Sequence, residues 1–368
     1  MSRILVLASL PLVLLGCMVM LPGTSEKEKA FRAAPDFELV TVFGSRSLVK
    51  EYEQIEIVGD YAYLLLNDKS TVPEVNFMIV DISEPSRPRT VSLHDVTYTP
   101  YIPTGFAITE RYAFITREDF GVEVVDISDK ANPVSAGIYE NVVGRITRVV
   151  AVDHYVFYYD GSSSWHVLDM SDPQDIEMVT KLRNIGEPMV VSGKYIYAVQ
   201  FSDETNRSTL QVVDVSDPAN PTPVFEGFQF WPIGDIAIWG ERAYAMSSAD
   251  RTYILDISQP GKPELVAAVN QGGNAISATS DTIYVITDTG LMAVDVSDES
   301  NGAPKYLATI GEDKLRDLLQ TKGVTYSENA DGSLELYKHI GMDDVATAKD
   351  HIYVMDSTQG LMIFKSPE

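Results

Sequence analysis

From Phe37 onward the chain alternates short apolar runs with turn residues, and the same order of runs keeps returning. One phrase reads Met78-Ile79-Val80-Asp81-Ile82-Ser83-Glu84-Pro85, and its copies place the acid at Asp126, Asp169, Asp214, Asp256 and Asp295. A truncated seventh copy, Leu361-Met362-Ile363-Phe364, has Lys365 in the acid's place. The phrase is apolar at successive positions, as in Leu210, Val212, Val213 and Val215, the pattern of a strand buried on both faces. Upstream of each copy an aromatic follows a turn: Tyr63, Phe114, Phe157, Tyr197, Tyr244, Tyr284 and Tyr353. Before the turn, apolar residues alternate, as at Ile55 and Ile57, Phe106 and Ile108, or Ile236 and Ile238. The Asp-x-Ser exit is turn chemistry, because both side chains can bond nearby backbone N–H groups and the Pro that often follows ends the ladder. Six copies of one aspartate therefore read as six copies of one structural turn, since a catalytic carboxylate has no reason to recur in every unit.

The acids recur roughly every 40 residues, the length of four short strands. The expectation is an all-β fold: a seven-bladed β-propeller of four-stranded antiparallel blades over residues 35–368. The last copy ends near the C-terminus and lacks an outer strand, whereas Phe37 to Phe43 is a strand-like run without a hairpin partner. This N-terminal strand is expected to complete blade seven and close the ring. One segment, 311–341, departs from the pattern. Glu312 to Lys322 reads as a short helix with a Leu315, Leu318 and Leu319 stripe, and Gly332 to Tyr337 as an extra strand.

The phrase, its Pro-x-x-Pro continuation (Pro85 to Pro88, Pro218 to Pro221, Pro260 to Pro263) and the upstream aromatic resemble the LVIVD repeat family of bacterial and archaeal exported proteins. The resemblance covers nearly the whole chain after the N-terminus. It implies a β-propeller and an exported location, and no defined activity.

The N-terminus has a short positive start, Met1-Ser2-Arg3, then an apolar run from Ile4 to Leu15, then Gly16-Cys17. This resembles a bacterial lipoprotein signal: 1–16 would be removed and Cys17, the only cysteine, acylated. The alternative is an uncleaved anchor from Ile4 to Leu21, which would be short for a span and is interrupted by Pro11 and Gly16. Either way the protein is exported. Met18, rather than Asp, follows Cys17, which in a diderm host implies the outer membrane. Residues 17–34, polar and charged from about Pro22 to Ala34, read as a flexible tether. With no second cysteine the fold has no intrachain disulfide.

The net charge of −25 repels a phosphate backbone, so nucleic acid is not an expected partner. Catalytic patterns are missing: there is no Gly-x-Ser-x-Gly, no Gly-rich phosphate loop and no paired histidines at zinc spacing. His154 and His351 follow an Asp in hairpin turns. Counting back from each hairpin gives a ring of strand-one positions at the channel mouth: Gln54, Gly105, Arg148, Pro188, Asp235, Ala275 and Asp344. Two residues further in lie Glu56, Ala107, Val150, Val190, Ala237, Ser277 and Ala346. Glu56, Asp235 and Asp344 are the carboxylates that a Ca²⁺ would take, if the mouth were an enzyme's metal centre. Otherwise no cofactor is expected.

The loops around that mouth carry unshared residues: Tyr98, Tyr101, Asp119, Phe120, Trp165, Phe230 and Trp231, with Arg148 and Asp235 between them. Acidic loops with aromatics suit a protein segment or a polar organic ligand. The reading is a monomeric envelope lipoprotein, attached to the membrane by lipid, whose propeller is a non-catalytic binding module. The alternatives are a propeller enzyme with a Ca²⁺-binding mouth and a scaffold in envelope assembly.

Overall fold

The computed structural model describes residues 34, 36–44, 51–67, 76–95, 103–117, 120–142, 144–161, 164–247, 251–297, 305–322, 342–356 and 360–367. They form seven four-stranded antiparallel sheets arranged as a β-propeller. Blade one runs from β2 (Glu51–Val58) at the channel through Tyr61–Asn67 and Asn76–Asp81 to Arg89–Asp95 at the rim. The remaining blades repeat this order, and the expected fold is the one observed.

Burial explains the strand pattern. In blade two, the second strand Tyr112–Arg117 and the third, Gly121–Asp126, are buried almost throughout, whereas the outer strand Val134–Tyr139 is largely open to solvent. The inner strands are thus covered on both faces by neighbouring blades. Seven apolar cores result, one in each seam between adjacent blades. The seven repeated aromatics supply their largest anchors, each at most 2% exposed. Side chains buried this way contribute about 1.5–3 kcal/mol each.

The turns repeat as closely as the cores. In all six intact phrases the Asp Oδ1 accepts the backbone N–H of the Ser two residues on, at 2.8–2.9 Å. The residue after the Asp donates its N–H to the first hairpin of its own blade, as Ile82 does to Asp60 O at 2.9 Å. In blade seven, where Lys365 replaces the Asp, Ser366 still donates to Asp350 O at 2.8 Å. The backbone bond therefore outlives the side chain that usually accompanies it.

Ring closure follows the expected route. Strand β1 (Leu39–Phe43) pairs antiparallel with Gly360–Lys365 and becomes the outer strand of blade seven. Each of the other six outer strands carries a one-residue bulge opposite the last apolar pair of the phrase, at Val91, Ala136, Val179, Val224, Val266 and Leu307. Strand β1 carries the same bulge at Val40, opposite Ile363 and Phe364. It is therefore the missing quarter of the last repeat, displaced to the other end of the chain. A helix, α1 (Glu312–Thr321), follows the outer strand of blade six. Its Leu315 and Leu319 are fully buried in the six–seven seam, and Lys314 reaches Asp36 at 2.5 Å. The extra strand expected at 332–337 lies outside the described residues.

Candidate binding face at the channel mouth

Antiparallel order gives the propeller two unlike faces. One holds the turns between first and second strands and the Asp-Ser turns; the other holds the loops between second and third strands and between blades. On this second face the inner strands surround a cavity of about 650 Å³ lined by Gln54, Gly105, Arg148, Asp235, Ala275 and Asp344, with Glu56, Val150 and Val190 deeper. These are positions of the expected ring with one exception. Met189 lines the cavity in place of Pro188, because the inner strand of blade four starts at Met189 and Pro188 is buried.

Four inner strands reach the mouth through a bulge placed one residue before the ring position, at Glu53, Thr104, Gly234 and Asp343. A bulge re-aims the side chain that follows it. In three blades that side chain turns sideways onto the next blade. Asp344 Oδ2 accepts Ile55 N–H at 3.1 Å, Gln54 Oε1 accepts Phe106 N–H at 3.0 Å, and Asp235 Oδ2 accepts Ile276 N–H at 3.0 Å. The second oxygens of Asp344 and Asp235 accept the N–H of their own following residues, Val345 and Ile236. Gln54 also donates to Phe106 O at 3.0 Å and to Glu56 Oε1 at 3.3 Å. Three equivalent positions thus act as latches between blades.

This changes the reading of the acidic mouth. Among the described residues no group of three or more His, Cys, Asp or Glu is placed to hold a metal ion. Glu56, Asp235 and Asp344 do not converge on a Ca²⁺ site, because the two aspartates already spend both oxygens on amides. Burial in the narrow bore raises all three acids: Glu56 to about 8, Asp344 to about 7 and Asp235 to about 6. Amide bonds from Ile108, Ile55 and Ile276 partly oppose this, and for Asp344 the nearby charge of Asp235 adds to it. Arg148 remains at the rim with its side chain more than half exposed, 3.8 Å from Glu187.

The loop aromatics divide sharply. Trp165 is fully buried, and its Nε1 donates to Gly186 O at 3.2 Å. Phe230 is 2% exposed and packs on Phe228 and Tyr253, with ring centroids 5.9 and 4.5 Å away. Both were expected on the binding face and both belong to the core. The physical reason is strand length: Trp165 already lies in the third strand of blade three, Ser164–Asp169, and Phe230 ends the long outer strand of blade four, Thr222–Phe230. Trp231, one residue on, is 44% exposed. The guanidinium of Arg207 lies 3.7 Å above its ring, a cation–π contact that holds the indole in place. Phe201, not among the expected residues, is 40% exposed on the same blade. Phe120 is half-buried beneath Arg117. Cys17, Tyr98, Tyr101 and Asp119 lie outside the described residues.

Two buried polar groups had no signal in the sequence. Glu123 and Arg117 form an ion pair beneath the second hairpin of blade two, and His94 lies 3.5 Å from Glu123. In blade three Asp160 is buried and bonds His166 at 2.9 Å. Both groups brace hairpins and neither opens onto the cavity lining.

Comparison with known proteins agrees with this geometry. The LVIVD repeat model matches residues 52–95, 104–141, 187–226 and 233–271, which are blades one, two, four and five. No curated protein matches the sequence. Among solved structures, BamB from Moraxella catarrhalis superposes with a TM-score of 0.53 at 11% identity, covering 88% of this chain and 97% of that one. Sqt1 of Saccharomyces cerevisiae gives 0.57 at 8% identity over 90% and 100%. The Cps50 (Swd1) propeller domain of Myceliophteria thermophila gives 0.56 at 10% identity over 90% and 97%. Identities this low show a shared fold alone. Blade seven is divided between the two ends of the chain, so a contiguous repeat cannot describe it, yet it keeps the bulge and the backbone bond of the others. With four matched repeats in a ring of seven such blades, the chain belongs to the LVIVD repeat family.

Proposed function

We propose that this chain is an envelope lipoprotein whose propeller is a non-catalytic binding module, taking a protein segment or a polar organic ligand at the channel-mouth face. One observation carries the reading: Gln54, Asp235 and Asp344 at the mouth are spent on joining blades, while the same face presents Trp231, fixed and exposed. An aromatic held in its bound conformation loses little entropy on contact, and tryptophan is a frequent anchor of recognition surfaces. The site is thus built as a rigid ring with a variable rim rather than around a reacting group. The anchor rests on the sequence alone, on Leu14-Leu15-Gly16-Cys17 after the apolar run. Affinity capture from the native envelope tests the module. Trp231→Ala is expected to weaken recovery of the partner against wild type at unchanged melting temperature; unchanged recovery sinks this face. Labelling with a clickable palmitate analogue tests the anchor, since Cys17→Ala is expected to abolish it.

A further inference from the structure

The two exposed tryptophans stand at opposite ends of one inner strand. Trp231 precedes the inner strand of blade five, Ile233–Trp239, on the mouth face, and Trp239 ends it on the turn face at 49% exposure. The strand between them is about 20 Å long. Trp239 sits immediately before Gly240, whose φ of +55° makes the tight turn. In blade one Val58 holds the equivalent place before Gly59, φ +64°, and is 44% exposed. The turn face therefore carries apolar tips of its own, and the channel-mouth reading uses neither.

The course of the chain shows what they meet. Glu38 O accepts Lys365 N–H at 2.9 Å, and Asp36 bridges to Thr309 on the outer strand of blade six. In an intact blade that place belongs to the turn between third and fourth strands, which leans on the preceding blade as Pro173 leans on Gly137. The chain thus joins the ring at the turn face. About 18 residues separate Pro35 from Cys17, so the anchor lies at most about 60 Å of chain from the ring. Four of the six repeated aspartates on this face are paired with Arg or Lys: Asp81 with Arg89, Asp126 with Arg111, Asp256 with Arg242 and Asp295 with Lys305.

We propose that the turn face lies against the bilayer and that Trp239, flanked by Val58, enters the lipid interface, so that the channel mouth points away from the membrane. This rests on the anchor reading. A short lipid tether keeps the end it holds nearest the surface, and indole favours the headgroup region. With a net charge of −25 the protein is repelled by anionic lipid, so the surface it fits is zwitterionic.

The test couples Cys17, the single cysteine, to a maleimide-headgroup lipid in phosphatidylcholine vesicles brominated on the acyl chain near the headgroup. Coupling by chemistry makes the outcome independent of acylation in the cell, which palmitate labelling reads separately. The chain has three tryptophans, and Trp165 is sealed in the core. Fluorescence quenching by bromolipid is expected to persist in Trp231→Phe and to be lost in Trp239→Phe. The reverse pattern would show the mouth facing the membrane and overturn the proposal. Absence of quenching in the vesicle-bound wild type would overturn it as well, because the tether would then hold the propeller clear of the lipid.

Discussion

Asp344, on the inner strand of the last blade, accepts the amide of Ile55 on the inner strand of the first, with Oδ2 and N 3.1 Å apart. The last blade is therefore tied to the first at the channel, and closed at the rim by strand β1. Asp344→Ala strands the amides of Ile55 and Val345 together and is expected to cost about 1–3 kcal/mol. Asp344→Asn keeps one acceptor oxygen and is expected to lose less. Urea denaturation of the two variants gives the order; equal stability of wild type and Asp344→Ala would remove the latch.

The rim tie is apolar. Leu39 is 3% exposed and packs in the six–seven core with Phe37, Leu315 and Leu319. Leu39→Ala is expected to destabilise by about 2–5 kcal/mol. Deleting residues 34–43 bares the edge of the third strand of blade seven, and bare edges pair with other chains. Size-exclusion chromatography is expected to show higher oligomers for the deletion and a monomer for Leu39→Ala.

The repeated acids are testable as turns. Asp295 accepts Ser297 N–H at 2.9 Å and Lys305 Nζ at 2.6 Å. Asp295→Ala is expected to cost about 1 kcal/mol, and Asp295→Asn less, because the amide oxygen can still close the turn. Partner capture is expected to be unchanged in both. Loss of capture at normal stability would make the acid a binding group.

How far the molecule could be read from its sequence depended on distance along the chain. The blade order, the seven aromatics and the Val40 closure were legible because each follows a local rhythm. Six of the seven ring positions at the mouth were legible too, by counting back from hairpins; Pro188 was one residue off. The latches were not: Asp344 and Ile55 lie 289 residues apart, and no local pattern marks the pair. Phe230 misled for a different reason. Phe228 adopts a φ of +56° in an extra bulge of the outer strand of blade four. That inserted residue shifts the alternation, so Phe230 turns inward and Trp231 outward. An aromatic in the left-handed region is rare enough that the sequence gives no warning.

The acids of the mouth and those of the turns titrate in opposite senses. Glu56, Asp344 and Asp235 are raised to about 8, 7 and 6. The folded chain therefore holds protons that the unfolded chain has released, and stability contributed below about pH 4 is lost as pH rises toward 8. Asp256 and Asp295 are lowered to about 2, chiefly by bonds from Ser258 and from Lys305 and Ser297. Their contribution is present above about pH 4 and is lost as pH falls toward 2. Maximum stability is expected between about pH 4 and 6, with a decline to pH 8. Glu56→Gln is expected to flatten that decline in urea titrations. A slope identical to wild type would show that Glu56 does not carry it.

The aromatics at the mouth-face loops give the sharpest contrast between core and surface. Trp165 and Phe230 fill the three–four and four–five seams respectively, and truncating a buried Trp or Phe costs about 3–5 kcal/mol. Trp165→Ala also strands Gly186 O, which accepts its indole N–H. Trp231 differs because water already reaches nearly half of it, and its ring lies beneath Arg207. Trp231→Ala forfeits that contact, about 0.5–1 kcal/mol at an exposed site. Thermal melts are therefore expected to rank Trp165→Ala and Phe230→Ala far below Trp231→Ala, which stays close to wild type. Capture of the partner is expected to rank them differently, with Trp231→Ala weakest among the variants that still fold. If Trp231→Ala melts as early as Trp165→Ala, the indole is part of the core and the face loses its anchor. If it melts normally and captures normally, the ring is sound and the partner sits elsewhere on it.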